Sequence, residues 1–222
     1  MALFETFNQK FYVFKTDSVT QMFCRLGDNV QKLANFADMK TNSTSFKTDS
    51  ATFVSLRAPE PTDADILYVW ENDMSGWHTS MASGPLSRHQ IMEYINAYDA
   101  DIYTRGSLRF IIEVDGASVG TLDIFDFDNR ARHAFVGIYV TPGWRRRGVG
   151  SAALKVVGEM MKEYVGMSSL AALVAIDNGA SRLLFEKSGF AVSGRLSGWI
   201  RRGAKLVDAI VYQQCLTPSG DR

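Results

Sequence analysis

Three consecutive arginines, Arg145, Arg146 and Arg147, stand between a Pro142-Gly143 pair and the run Gly148-Val149-Gly150-Ser151-Ala152-Ala153-Leu154. Those residue types at that spacing suit an anion. Glycine lets backbone come close to a ligand, and a helix N-terminus offers free N–H groups and a partial positive charge. Planar guanidinium forks match phosphate oxygens. Residues 141–154 therefore read as a phosphate cradle leading from the end of a strand into a helix. The plainer alternative is a solvated basic patch at a glycine-softened helix start.

Two familiar phosphate sites fit poorly. Gly148-x-Gly150-x-x-Ala153 matches the dinucleotide pattern G-x-G-x-x-G/A, but that pattern belongs in a tight turn directly after a strand, within repeated strand–helix alternation. Here residues 141–147 intervene, and three meander-like strands come before. The phosphate loop of nucleotide triphosphatases needs a Gly-Lys-Ser/Thr end, which the chain lacks.

Composition narrows the class. The 222 residues suit one domain plus an appendage or two small domains, and 46% hydrophobic with 22% charged residues is ordinary for a globular protein. Lysine plus arginine equals aspartate plus glutamate at 24 each, which argues against a general nucleic-acid binder. Cys24 and Cys215 make no disulfide framework, and His78, His89 and His133 are too scattered for a metal site. No apolar run is long enough to span a membrane, and no secretory leader is evident, so the expected location is the cytoplasm.

The elements that must position the cradle can be read in order. Residues 1–50 form an extension of partly helical character, with Phe4, Phe7, Phe11 and Phe14 on one face and a helical period from Val19 to Leu33. It reads as docked on the body or on a neighbouring subunit of a homo-oligomer. The main domain is placed at residues 51–217, with 218–222 as a tail. Within it the pattern predicts a strand at 52–57, helices at 62–70 and 88–100, strands at 108–114, 118–125 and 134–140, a helix at 149–164, a strand at 170–176, a helix at 180–188, and strands at 190–200 and 206–213. Asp115-Gly116 between apolar runs signals a hairpin. A meander leading into a strand–helix–strand crossover implies an α/β fold with a mixed, mostly antiparallel central sheet and flanking helices.

At Arg145-Arg146-Arg147-Gly148-Val149-Gly150 the chain resembles the GCN5-related N-acetyltransferase (GNAT) superfamily. A second match lies downstream, at Asn178, Ser181 and Leu184-Phe185-Glu186-Lys187-Ser188-Gly189-Phe190. Residues 51–215 follow the family's element order, and the likeness is strongest to bacterial spermidine/spermine and ribosomal-protein alanine acetyltransferases.

The resemblance implies acetyl-CoA as co-substrate and a splayed parallel pair formed by strands 134–140 and 170–176. Ile138, Tyr139 and Val140 would line the pantetheine arm. Arg145, Arg146, Arg147, Gly148, Val149, Gly150 and Ser151 would hold the pyrophosphate, and Asn178 and Phe185 would contact the coenzyme. The acceptor would be a primary amine, such as a polyamine or other small amine. A protein N-terminal amine, or a coenzyme-binding module without turnover, remains an alternative. Asp123 is the acid named for catalysis, with Asp126 beside it. Tyr139 and Ser181 are weaker proton donors, and Trp70, Glu71, Trp77 and His78 border the region that covers acceptors in this family. The chain departs from the family's pattern at Phe185, which stands where a proton-donating tyrosine is usual, and at Phe135, near the place of a usual carboxylate.

Overall fold

The computed structural model of the chain describes residues 46–47, 53–73, 84–98 and 100–216. The features expected from Phe4 to Leu33, and Trp77 and His78, lie outside them. The described residues fall into two compact units.

The smaller unit is described over residues 60–73 and 84–98 and holds two helices. A 3₁₀ turn at Pro61–Asp63 leads into α1 (Ala64–Glu71), and Glu60 N–H donates to Asp63 Oδ2 at 2.8 Å. Helix α2 (Arg88–Asn96) opens on a reciprocal cap. In that cap Gln90 N–H donates to Ser87 Oγ at 3.2 Å, and Ser87 N–H to Gln90 Oε1 at 2.8 Å. Leu67, Ile91 and Ile95 are its buried apolar residues. The amide of Asn72 bonds both polar groups of Leu86, accepting from its N–H at 2.8 Å and donating to its carbonyl at 3.0 Å. The second helix ends four residues short of its expected length, because Ala97 leaves the helical conformation.

The larger unit carries the sheet. Its elements are β1 (Phe46–Lys47), β2 (Phe53–Arg57), the single-turn α3 (Ile102–Arg105), β3 (Leu108–Val114), β4 (Ala117–Asp128) and β5 (His133–Val140). After a 3₁₀ turn at Pro142–Trp144 come α4 (Val149–Met160), β6 (Ser169–Ala175), α5 (Gly179–Lys187), β7 (Ala191–Arg202) and β8 (Lys205–Cys215). The eight strands order as β1-β2-β3-β4-β5-β6-β8-β7. Every neighbouring pair is antiparallel except β5–β6.

The mixed, mostly antiparallel sheet and the order of its larger elements follow the sequence expectation. Strand β1 and helix α3 are additions to it. The two-residue turn has Asp115 at φ 49° and Gly116 at φ 82°, the left-handed pair that matches strand twist in a tight hairpin. Helix α4 buries Ala153, Val156, Val157 and Met160 at helical spacing, packing on β2, β5 and α5. Beneath it the sheet contributes Leu122, Ile124, Val136 and Leu170, all essentially inaccessible to solvent.

Candidate active site: a splayed strand pair and a helix N-terminus

Strands β5 and β6 run parallel, yet they pair only at His133↔Ser169, Ala134↔Leu170 and Phe135↔Ala171. Beyond Phe135 they separate. The direction of the freed groups follows from the other side of β5, where Thr141 N–H bonds Val119 carbonyl at 2.9 Å. Backbone groups alternate along a strand, so Tyr139 and Gly137 bond β4 while Ile138 and Val140 point into the opening. A buried amide needs a partner, and an extended ligand with its own amides can supply one here. The Val140 carbonyl is taken, accepting Arg145 Nε at 2.7 Å.

At the open end of this gap lies the loop of residues 141–148. Trp144 N–H bonds Thr141 carbonyl at 2.9 Å and Arg145 N–H bonds Pro142 carbonyl at 3.3 Å, which winds the chain tightly. Arg146 and Gly148 then take left-handed backbone at φ 60° and φ 80°. Such a conformation is unfavourable for arginine, and it aims successive N–H groups to one side. The first helical bond of α4 is Ala152 N–H to Gly148 carbonyl at 3.0 Å. The N–H groups from Arg146 to Ser151 therefore precede the helical ladder, at the positive end of a 12-residue helix.

The three arginines behave differently. The Arg145 guanidinium folds back over the Tyr139 ring at 5.7 Å, and that of Arg147 lies over Trp144 at 5.2 Å. Arg146 is exposed and makes no ion pair among the described residues. Gly150 also has a packing role. A Cβ there would sit 3.1 Å from Leu184 Cδ1 and 3.8 Å from Ile138 Cδ1, so its missing side chain lets α4 approach α5. Val149 is buried. Its contribution to a ligand would come from backbone.

Across the gap, Asn178 is the N-cap of α5. Its Oδ1 accepts Ser181 N–H at 3.1 Å. The cap uses the oxygen and leaves the amide nitrogen as a donor. Phe185 is 3% exposed, edge-on to Phe190 at 5.0 Å and stacked on Tyr212 at 6.1 Å. Its ring belongs to the core beneath α5. Tyr212, also buried, donates to Glu186 Oε1 at 2.7 Å and accepts from Arg182 Nε at 3.3 Å.

The acids are placed by the meander. Asp123 stands opposite Gly137 on β5 and opposite Arg109 on β3. Arg109 grips it with two bonds, and the pair remains 12% and 31% exposed. Asp123 is therefore fixed in place rather than a lone anion, and the Phe125 ring reaches within 3.5 Å of where a Cβ at Gly137 would stand. Asp126 occupies a β-bulge between the pairs Phe125↔Phe135 and Asp128↔His133, at φ 52°. It is exposed as a residue, yet partial burial about its carboxyl raises the pKa from the ordinary aspartate value. Phe135, at the last residue of the β5–β6 pairing, stacks on Phe125 at 5.8 Å. Trp70 and Glu71 lie at the end of α1 in the other unit. No cluster able to hold a metal ion occurs among the described residues.

The sequence motifs gave no sign of Arg109, Arg182 and Tyr212. Each is recognised only through its cross-strand or helix–sheet partner.

The sequence pattern of the acetyltransferase (GNAT) domain matches residues 54–191. The chain belongs to the GNAT acetyltransferase family. Among curated proteins it is 29% identical over 106 residues to the L-amino acid N-acetyltransferase AaaT of Escherichia coli K12, a match covering 47% of this chain and 65% of that protein. It is 25% identical over 105 residues to the Spermidine N(1)-acetyltransferase of the same strain, over 47% of this chain and 56% of that protein.

Solved GNAT structures share the fold. A Vibrio cholerae spermidine N-acetyltransferase, in complex with CoA and spermine, superposes with a TM-score of 0.67 at 18% identity, covering 73% of this chain and 95% of that one. The ribosomal L7/L12 alpha-N-protein acetyltransferase RimL, in complex with CoA, gives 0.66 at 15% identity over 73% and 93%. Within this GNAT chain, the gap beside β5 and the amides at the start of α4 sit at one end of the sheet. No helix among the described residues is long and apolar enough to cross a membrane.

Proposed function

We propose that the protein is an acetyl-CoA-dependent N-acetyltransferase acting on a primary amine. The observation that carries this reading is the conjunction of a strand pair that opens after Phe135 with unpaired N–H groups from Arg146 to Ser151 at the same end of the sheet. An extended amide-bearing arm that ends in a pyrophosphate matches both features.

In this reading Ile138 and Val140 bond the pantetheine amides through backbone, and the amides from Arg146 to Ser151 hold the pyrophosphate with Arg146 adding charge. Asn178 donates from its free amide nitrogen. The amine attacks the thioester carbonyl. The C–N bond forms, the C–S bond breaks, and the N–H group of Ile138, deeper in the gap than Val140, steadies the charge on the carbonyl oxygen. Asp123, held by Arg109 and standing opposite Gly137 on β5, takes the ammonium proton through water. Phe185 has no proton to give, so the departing thiolate is protonated by water.

The test is thiol release from acetyl-CoA by the purified chain across a panel of small amines and peptide N-termini. Release with at least one amine is expected. No release with any of them, in protein that binds acetyl-CoA, would leave a coenzyme-binding module instead.

A further inference from the structure

We infer that the acceptor is a monoamine borne on an apolar, ring-sized body, and that the stacked pair Phe125 and Phe135 selects it; this rests on the transferase reading above. The inference comes from a difference between the two faces of β4 and β5. Residues paired across two strands project to the same face, and faces alternate along each strand. Leu122, Ile124 and Val136 therefore share the face of Ile138, on which α4 packs at Gly150, and all three are buried. Asp123, Phe125, Phe135, Gly137 and Tyr139 share the other face, and each of them is only half-buried. Toward β3 that face closes over Ile111 and Thr121, both buried, so its solvent access lies along β5 and the neighbouring part of β4.

The accessible part is aromatic. Phe125 stacks on Phe135 at 5.8 Å with 20° between the planes, and its Cε1 lies 3.5 Å from where a Cβ at Gly137 would stand. The two rings thus make one apolar surface from the last residue of β5 paired with β6 to the level of Gly137. On the far side of Gly137, the Tyr139 ring carries the Arg145 guanidinium at 5.7 Å.

An amine attacking a carbonyl held at Ile138 stands between these two features, at the level of Asp123 and Gly137. Its body can extend along β5 over uncharged rings, or toward a ring already under a cation. Burial of apolar area favours the first. A second ammonium close to the amine would lie against the rings or beside Arg145, and Asp123 is already held by Arg109. Asp126 lies beyond the stack, in the bulge. A polycation therefore gains less here than an apolar body does.

The experiment compares phenethylamine, ethylamine and spermidine as acceptors for the full chain, by thiol release with acetyl-CoA. It is repeated for Phe125→Leu and Phe135→Leu, which keep an apolar side chain while removing the ring. Phenethylamine should have a kcat/KM about tenfold or more above that of the other two. Each variant should raise the KM for phenethylamine about fivefold or more, with a far smaller change for ethylamine and in the KM for acetyl-CoA. A readout that needs no variant is inhibition of the parent by 2-phenylethanol, which has the body without the amine. It should be competitive with phenethylamine. Ethylamine or spermidine accepted as well as phenethylamine would overturn the inference while the transferase reading stands. So would equal losses for phenethylamine and ethylamine in the variants, which would reduce the rings to packing, or the absence of that competition. Thiol release with none of these amines, nor with any other, would overturn both.

Discussion

Arg109 and Asp123 stand directly opposite across β3 and β4, with Nε to Oδ1 at 2.6 Å and Nη2 to Oδ2 at 3.0 Å. The pair joins the meander to the edge of the gap, because Asp123 is in turn opposite Gly137. Asp123→Asn should reduce kcat by about tenfold or more while acetyl-CoA binding stays unchanged. It should also lower stability by about 1–3 kcal/mol, since two charge-assisted hydrogen bonds from a largely buried Arg109 would be weakened or lost. Steady-state kinetics with calorimetry and a denaturant titration separate the two effects.

Gly120 is fixed by contact rather than by dihedral. A Cβ there would lie 2.1 Å from the Tyr139 carbonyl oxygen, which is backbone and cannot swing aside. Gly120→Ala must push β4 from β5 where both support the gap. A loss of at least about 1–3 kcal/mol is expected, read as a lowered Tm together with weakened acetyl-CoA binding.

Asp126 makes stability depend on pH. Its folded-state pKa is raised by burial, so the folded chain holds that proton more tightly than the unfolded chain does. Its contribution is present below the unfolded pKa and is lost as pH rises through the folded one. Asn tolerates the left-handed backbone found at this bulge. Asp126→Asn should therefore have a higher Tm than the parent at neutral pH, with the difference closing as both are acidified below the carboxylate range.

Phe185→Tyr restores the residue type usual at that place in the family, but here the ring is core. Its edges and face are occupied by Phe190 and Tyr212. The added hydroxyl should cost about 1–3 kcal/mol without a partner, and kcat should change by less than about twofold. Thermal melts and kinetics on the same preparation decide it.

Much of the fold was legible because its signals are local. Asp115-Gly116 could only be a tight turn, the apolar run at Leu170 could only be a central strand, and Gly148 to Met160 carried a clean helical period. The site was legible where backbone makes it, at the glycine-opened start of α4. It was illegible where register makes it. Counting outward from the turn that pairs Val114 with Ala117 would set Arg109 opposite Leu122. A bulge between Ile112 and Glu113 slides the ladder by one residue and brings Asp123 there instead. The same limit applies to Phe125, whose stack on Phe135 needs the pairing of β4 with β5, and to Gly150, whose small size serves Leu184 as much as any ligand.

The most direct measurement is a calorimetric titration of acetyl-CoA into the full chain and into Arg146→Glu. Arg146 is exposed and has no ion pair among the described residues, so the variant should fold like the parent while setting a carboxylate at the amides that open α4. The expected result is saturable binding by the parent, weakened about tenfold or more in the variant, a change of about 1.4 kcal/mol. Absence of binding by the parent, or equal affinity in both, would contradict the assignment of the loop and α4 N-terminus to the coenzyme's pyrophosphate.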